Sequence, residues 1–239
     1  NQIYRNIRDI LSDPGNQDEI EREFPDKSIY RRNTGYAIDL LMDSQIFKDT
    51  DRPFNFSKII CGSEGTLLFI TEIKLNLVPL PPKHKAVIAA HFDTRREAFH
   101  ANMIALKHNP GAVEMMDQII LNLTKDNIEQ AKNRYFIKGD PGAILIIEFA
   151  RDSTSEIEKI YNDLKADFEN AGYGYYFPLI FAPDTKKVWD LRKAGLGVLS
   201  NMKGDARPVS IIEDTAVNVE LFPDYMEDFK KLLDSFGVE

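Results

Sequence analysis

The run Val78-Pro79-Leu80-Pro81-Pro82 is the feature that most constrains how this chain can fold. Proline carries no backbone N–H and fixes its own φ, so neither a helix nor a strand ladder continues through such a run. The chain is therefore expected to divide here, into a part spanning residues 1–80 and a part spanning residues 81–239. The residues on the two sides carry different patterns.

Upstream, Ile3, Ile7, Ile10 and Leu11 share a helical spacing that stops at Pro14-Gly15, and a second short acidic helix ends near Pro25. Gly35 predicts a tight turn into a short helix. Asn55 reads as the N-cap of a further helix that buries Phe56, Ile59 and Ile60 and stops at Gly62. From Phe69 to Leu77 apolar and polar residues alternate, with Ile73, Leu75 and Leu77 on one side and Glu72, Lys74 and Asn76 on the other. That spacing predicts a strand with one buried face.

Downstream, strands and helices alternate. Strands are expected at Lys85–Phe92, within Gly111–Arg134, at Gly142–Ala150, Tyr173–Pro183 and Pro208–Val217. Helices are expected at Asp93–Asn109, Ser153–Gly172, Asp184–Asn201 and Pro223–Gly237. In the second of these, Ile157, Ile160, Tyr161, Leu164 and Phe168 form one stripe and Gly172 is the stop. Charged residues inside strands, such as Glu148, Glu213 and Asp214, favour an antiparallel sheet with helices on one face over a parallel sheet buried on both. The fold class is α+β, and the second part is roughly ferredoxin-like.

With 30 basic and 38 acidic residues the net charge is -8, which excludes a general nucleic-acid binder. It leaves room for an anionic cofactor held by backbone N–H groups. The single cysteine, Cys61, permits no internal disulfide and suits a reducing, cytoplasmic setting; it reads as a core thiol. No apolar run is long enough to span a bilayer, and the first residues do not form a signal peptide. The missing initiator methionine leads to the expectation of a piece of a longer chain.

Neither a dinucleotide-binding Gly-x-Gly-x-x-Gly nor a Walker-type loop occurs. His84, His91, His100 and His108 are scattered and read as surface or core residues, so no metal site is expected. Gly62-Ser63-Glu64-Gly65-Thr66 remains. Glycines permit positive φ and close approach of backbone to a ligand, and Ser63 and Thr66 add hydroxyl donors. A plain helix end running into a strand would need only Gly62, and both readings stay open at this level.

Three stretches taken together carry a resemblance: Asn33-Thr-Gly-Tyr36 with the short helix after it, Cys61-Gly-Ser-Glu-Gly-Thr-Leu67 before the proline break, and Leu191-Arg-Lys-Ala-Gly-Leu-Gly197 leading into Ile211-Ile-Glu-Asp-Thr215. The chain resembles the FAD-linked oxidases of the vanillyl-alcohol-oxidase type, in the branch of D-lactate dehydrogenase and glycolate oxidase flavoproteins. The resemblance implies the C-terminal part of a FAD-binding lobe followed by an antiparallel cap domain. It implies oxidation of a small 2-hydroxy acid such as D-lactate or glycolate. Gly62, Ser63, Glu64, Gly65 and Thr66 would approach FAD, with Ile70, Asn33 and Gly35 close by. Arg192 would clamp the substrate carboxylate; by pattern alone, a solvated arginine on an amphipathic helix fits equally.

The resemblance also admits an iron–sulfur domain or subunit as electron acceptor, and a location at the inner face of a membrane. Three departures accompany it. No pyrophosphate-binding glycine loop precedes Asn33, no histidine motif follows the last helix, and position 68 is Leu. The first two lead to the expectation of a fragment with an incomplete FAD site, inactive alone. Two rival readings are a flavoenzyme acting on D-2-hydroxyglutarate or a lipid ether, and a non-catalytic α+β interaction module.

Overall fold

A computed structural model describes residues 2–30, 35–125, 127–200, 212 and 215–237. They form two compact units, Asn1–Leu77 with Asp214–Asn218, and Val78–Glu213 with Val219–Glu239. Among the described residues no helix is long and apolar enough to cross a membrane.

The first unit is helical. α1 (Gln2–Ser12) gives way to α2 (Pro14–Glu23) at Asp13, whose carboxylate accepts the Asn16 N–H while Pro14 occupies the first turn. α3 (Ile38–Met42) follows the turn at Gly35, where φ is +84°, and α4 (Ser57–Ile60) lies beyond. Leu11, Ile20, Leu41, Met42 and Ile59 form its core, packed by Phe24, Phe47, Phe54 and Phe56. Asp43 lies at the core's edge with its carboxylate 2.8 Å from the Lys27 ammonium. Burial opposes its ionisation, but Lys27 and Lys48 outweigh burial and hold it below the usual carboxylate range.

The strand expected at Phe69–Leu77 is not formed. Phe69 is 90% exposed and Leu77 94%. Alternation marks residues suited to a pleated surface, but a strand also needs a ladder partner, and none pairs with it among the described residues.

The second unit is built on a four-stranded antiparallel sheet of order β2-β3-β1-β4, the ferredoxin-like arrangement expected. β1 (His84–Phe92) is followed by α5 (Arg95–Leu106), then β2 (Ala112–Asp117), α6 (Gln118–Leu123) and α7 (Ile128–Ala131). β3 (Ala143–Arg151) precedes α8 (Thr154–Ala171) and β4 (Leu179–Phe181). α9 (Thr185–Lys193), α10 (Gly195–Ser200) and α11 (Phe222–Ser235) complete it. The capping chemistry is local: Thr94 accepts the Glu97 N–H, Ser153 accepts the Glu156 N–H, and Gly172 ends α8 at φ +72°.

β1 and β3 run side by side from His84↔Arg151 to Phe92↔Ala143. Alternation along this ladder sends Ala86, Ile88, Phe92, Leu145, Ile147 and Phe149 to one face, where Ala101 of α5 and Ile157, Leu164 and Phe168 of α8 cover them. Val87, Ala89, Ile144 and Ile146 point to the other face, onto Val188 and Leu191 of α9. The second face is therefore not open, and helices cover both sides. Near-continuous apolar runs in β1 and β3 are the sequence form of such two-sided burial. Each large aliphatic side chain so buried contributes about 1.5–3 kcal/mol.

Three sequence expectations change in detail. The strand expected at Tyr173–Pro183 shortens to three residues, because Pro178 has no N–H; its carbonyl still accepts from Ala89. The helix expected at Asp184–Asn201 is two helices, α9 ending at Lys193 and α10 beginning at Gly195, with Ala194 between them. The expected strand at Pro208–Val217 lies mostly outside the described residues, and the described part, Ile212 and 215–217, is not strand.

His91 is fully buried in β1. Its Nδ1 donates to the Ala89 carbonyl at 2.8 Å, and its Nε2 accepts from the Lys138 N–H at 3.3 Å, which fits the neutral ring. Burial pushes its pKa down to about 4. The unfolded chain, with an ordinary histidine, binds the extra proton first as pH falls. Stability is expected to be full above about pH 6.5 and to drop by roughly 3 kcal/mol between there and pH 4. Urea unfolding at a series of pH values measures this; His91→Gln should flatten the slope.

Gly142 donates to the Phe92 carbonyl at 2.9 Å, and a Cβ there would lie 2.1 Å from the Asp93 carbonyl oxygen. Because the obstacle is backbone, Gly142→Ala is expected to cost about 2 kcal/mol or more, read from the same denaturation curves.

Candidate functional site

The glycine loop begins where α4 ends. The Asn55 carboxamide oxygen accepts the Ser57 N–H at 3.1 Å, but the helix cap itself is Phe56, one residue later than expected. The Ser63 N–H returns to Ile60 and the Thr66 N–H to Ser63, so the chain makes two consecutive tight turns. Glu64 and Gly65 have φ of +49° and +74°. Positive φ is uncommon for a residue with a side chain, and consecutive residues of this kind make the tight, concave turns whose amides can meet an anion.

Among the described residues the amides of Gly62, Glu64 and Gly65 have no hydrogen-bond acceptor, and all three residues are exposed. A plain helix end would not need this arrangement. Free amides beside hydroxyl groups suit a ligand rich in acceptor atoms, as a flavin dinucleotide is.

Gly35 belongs to the same locality. Its carbonyl oxygen lies 3.7 Å from where a Cβ on Gly62 would stand. The next residue, Tyr36, hydrogen-bonds through its hydroxyl to Thr66 Oγ1 at 2.7 Å, a link the sequence reading did not anticipate. Thr66 Oγ1 also donates to the Ser63 carbonyl at 2.6 Å, and Ser63 is buried. Gly35, Gly62, Ser63 and Thr66 are thus brought together. Ile70 is exposed beyond the loop, as is Leu68. Asn33 lies outside the described residues. Cys61 is exposed, which corrects the expectation of a core thiol.

Arg192 is in the second unit, in the last turn of α9. Val188 and Leu191 pin that helix to the sheet, and three residues before Arg192 the indole N–H of Trp189 donates to Glu148 Oε2 at 2.9 Å. Arg192 Nη2 meets Glu114 Oε2 at 2.7 Å, with the two side chains 42% and 40% exposed. Glu114 lies opposite Ile146, so it shares a sheet face with Glu148 two residues further along β3. The Arg192 Nε is buried and, among the described residues, has no acceptor. Arg192 is therefore neither a freely solvated side chain nor a satisfied one. Glu114 escaped the sequence reading; the signal was a charge inside the apolar run Ala112-Val-Glu-Met-Met116.

A separate groove of about 760 Å³ lies between α5 and α11, lined by Arg95, Arg96, Phe99, Met226, Phe229 and Lys230 among others. Its cations are paired, Arg95 with Asp117, Arg96 with Glu227 and Lys230 with Asp234. It does not include Arg192.

The sequence of residues 81–239 matches the family described as FAD linked oxidases, C-terminal domain. The chain is 31% identical to a D-2-hydroxyglutarate dehydrogenase of Pantoea ananatis, over 92% of its own length and 22% of the relative's. It is 30% identical to a protein of that name from Pseudomonas putida, over 99% of this chain and 23% of the relative. A mitochondrial D-lactate dehydrogenase [cytochrome] of Arabidopsis thaliana is 25% identical over 76% of this chain and 30% of its own. The chain thus spans less than a quarter of the length of the D-2-hydroxyglutarate dehydrogenases it matches.

Proposed function

The chain belongs to the family of FAD linked oxidases through their C-terminal domain, and from this we propose that it is part of a flavin-dependent enzyme that oxidises a 2-hydroxy acid. Bound FAD supplies the two-electron oxidation; the protein's part is to hold, orient and exclude.

The first unit takes the cofactor contacts in this reading. Gly62, Glu64 and Gly65 offer their free amides, and Ser63 and Thr66 keep the loop in shape. Gly35 lets the chain pass close by, with Asn33 and Ile70 as the neighbouring contacts. The second unit grips the substrate. Arg192 presents a planar fork that matches a carboxylate in two parallel hydrogen bonds. Holding the carboxylate fixes the hydroxyl-bearing carbon relative to the oxidant, which is where positional control lowers the barrier. The observation that carries the reading is Arg192, a half-exposed guanidinium with an unsatisfied donor inside the matched domain.

D-2-hydroxyglutarate moves ahead of D-lactate and glycolate as substrate. Relatives named for it match nearly the whole chain at 30–31% identity, against 25% for the D-lactate enzyme. The electron acceptor in this reading is not NAD, and an iron–sulfur domain or subunit is the form it takes.

Anaerobic mixing of the full-length, flavin-loaded protein with candidate acids tests this. D-2-hydroxyglutarate is expected to bleach the flavin's visible absorbance at lower concentration than D-lactate or glycolate, with the L-enantiomer inert. Arg192→Ala should raise KM about 100-fold, the loss of a charge-assisted carboxylate pair. Absence of bleaching by every 2-hydroxy acid would contradict the assignment.

A further inference from the structure

The geometry points to Glu114 as an internal competitor for the Arg192 fork, a built-in carboxylate that a substrate carboxylate must displace. This rests on Arg192 being the substrate clamp.

A guanidinium presents its donors in a rigid plane, and Nε–H and one Nη2–H point the same way, as two tines of one fork. A carboxylate that fits the fork takes both tines in parallel. Glu114 meets one nitrogen only: its Oε2 is 2.7 Å from Nη2, while Nε is buried and, among the described residues, has no acceptor. A buried donor left without a partner is unfavourable, and native structures rarely keep one without a reason. The same fork filled by an incoming carboxylate would satisfy both donors.

The neighbouring pair shows what a settled arrangement on this face looks like. Trp189, three residues before Arg192, donates to Glu148 on β3, the inner strand next to β2. Glu114 instead stands on the edge strand β2, and its side chain is 40% exposed, so it has room to swing aside without disturbing the ladder. Its hold on Arg192 is correspondingly modest, because half-exposed ion pairs contribute little. Such a contact keeps the guanidinium extended and covered when the site is empty and yields to a ligand that fills both tines.

Removing the competitor should tighten binding. In the full-length flavoprotein, Glu114→Gln keeps the shape of the side chain and removes its charge, and Glu114→Ala removes the group. Both are expected to lower the dissociation constant of the 2-oxo acid product, followed by its perturbation of the flavin spectrum, about threefold to fivefold. KM for the hydroxy acid should fall in the same proportion. In an Arg192→Lys background, which has no fork, Glu114→Gln should produce no such gain. If both Glu114 variants raise KM, Glu114 orients Arg192 and the competitor is refuted; unchanged constants refute it equally. If Arg192→Lys alone binds and turns over like wild type, the assignment of Arg192 itself fails. If Arg192 matters and Glu114 does not, only the competitor falls.

Discussion

The register of the β1–β3 ladder is the constraint on which the second unit depends. Nine consecutive residue pairs join these strands, and a slip by one would turn every side chain to the opposite face. Ile88, Phe92 and Phe149 would lose α8, and Val87, Ile144 and Ile146 would lose α9. The pairing of β2 with β3 inherits this register, and so Glu114 and Glu148 both emerge on the α9 face. Arg192 and Trp189, one helical turn apart, then each find a carboxylate. The candidate substrate grip is thus a consequence of sheet register and helix period acting together.

The two units handle charge differently. In the first, Asp43 is gathered in by Lys27 and Lys48 and serves the fold. At the glycine loop, donors are left unused among the described residues: the exposed amides of Gly62, Glu64 and Gly65 have no acceptor, and Glu64 and Gly65 hold positive φ. In the second unit Lys186, Lys187 and Lys230 pair within a helix turn; Arg192 pairs across elements, as Arg95 and Arg96 do, but among the described residues it also keeps one buried donor empty. Unspent hydrogen-bonding capacity in an ordered setting marks both candidate contacts, for cofactor and for substrate, more clearly than charge alone does.

Local chemistry was legible in advance. The stop at Gly172 and the stripe on α8 follow from residue types at fixed offsets, and a charge inside a strand run, Glu148, favoured the antiparallel α+β class over a parallel sheet. What was not legible depended on partners distant in sequence. Alternation at Phe69–Leu77 describes a strand's faces and says nothing about whether another strand is beside it. Cover of the second sheet face required knowing where α9 docks. Glu114 could not be matched to Arg192 across 77 intervening positions by any local rule. The Gly62–Thr66 loop was visible as a motif, but its free amides and the Tyr36 link required coordinates.

The central claim is that the loop at Gly62–Thr66 holds the flavin, and flavin affinity measures it most directly. Val is poorly tolerated at positive φ, so Gly65→Val should force the loop out of its present shape without touching the core. In the full-length protein, titration of the apo form with FAD is expected to show at least about tenfold weaker binding than wild type, with the circular dichroism unchanged. Wild-type affinity and an unaltered flavin spectrum in that variant would contradict the account.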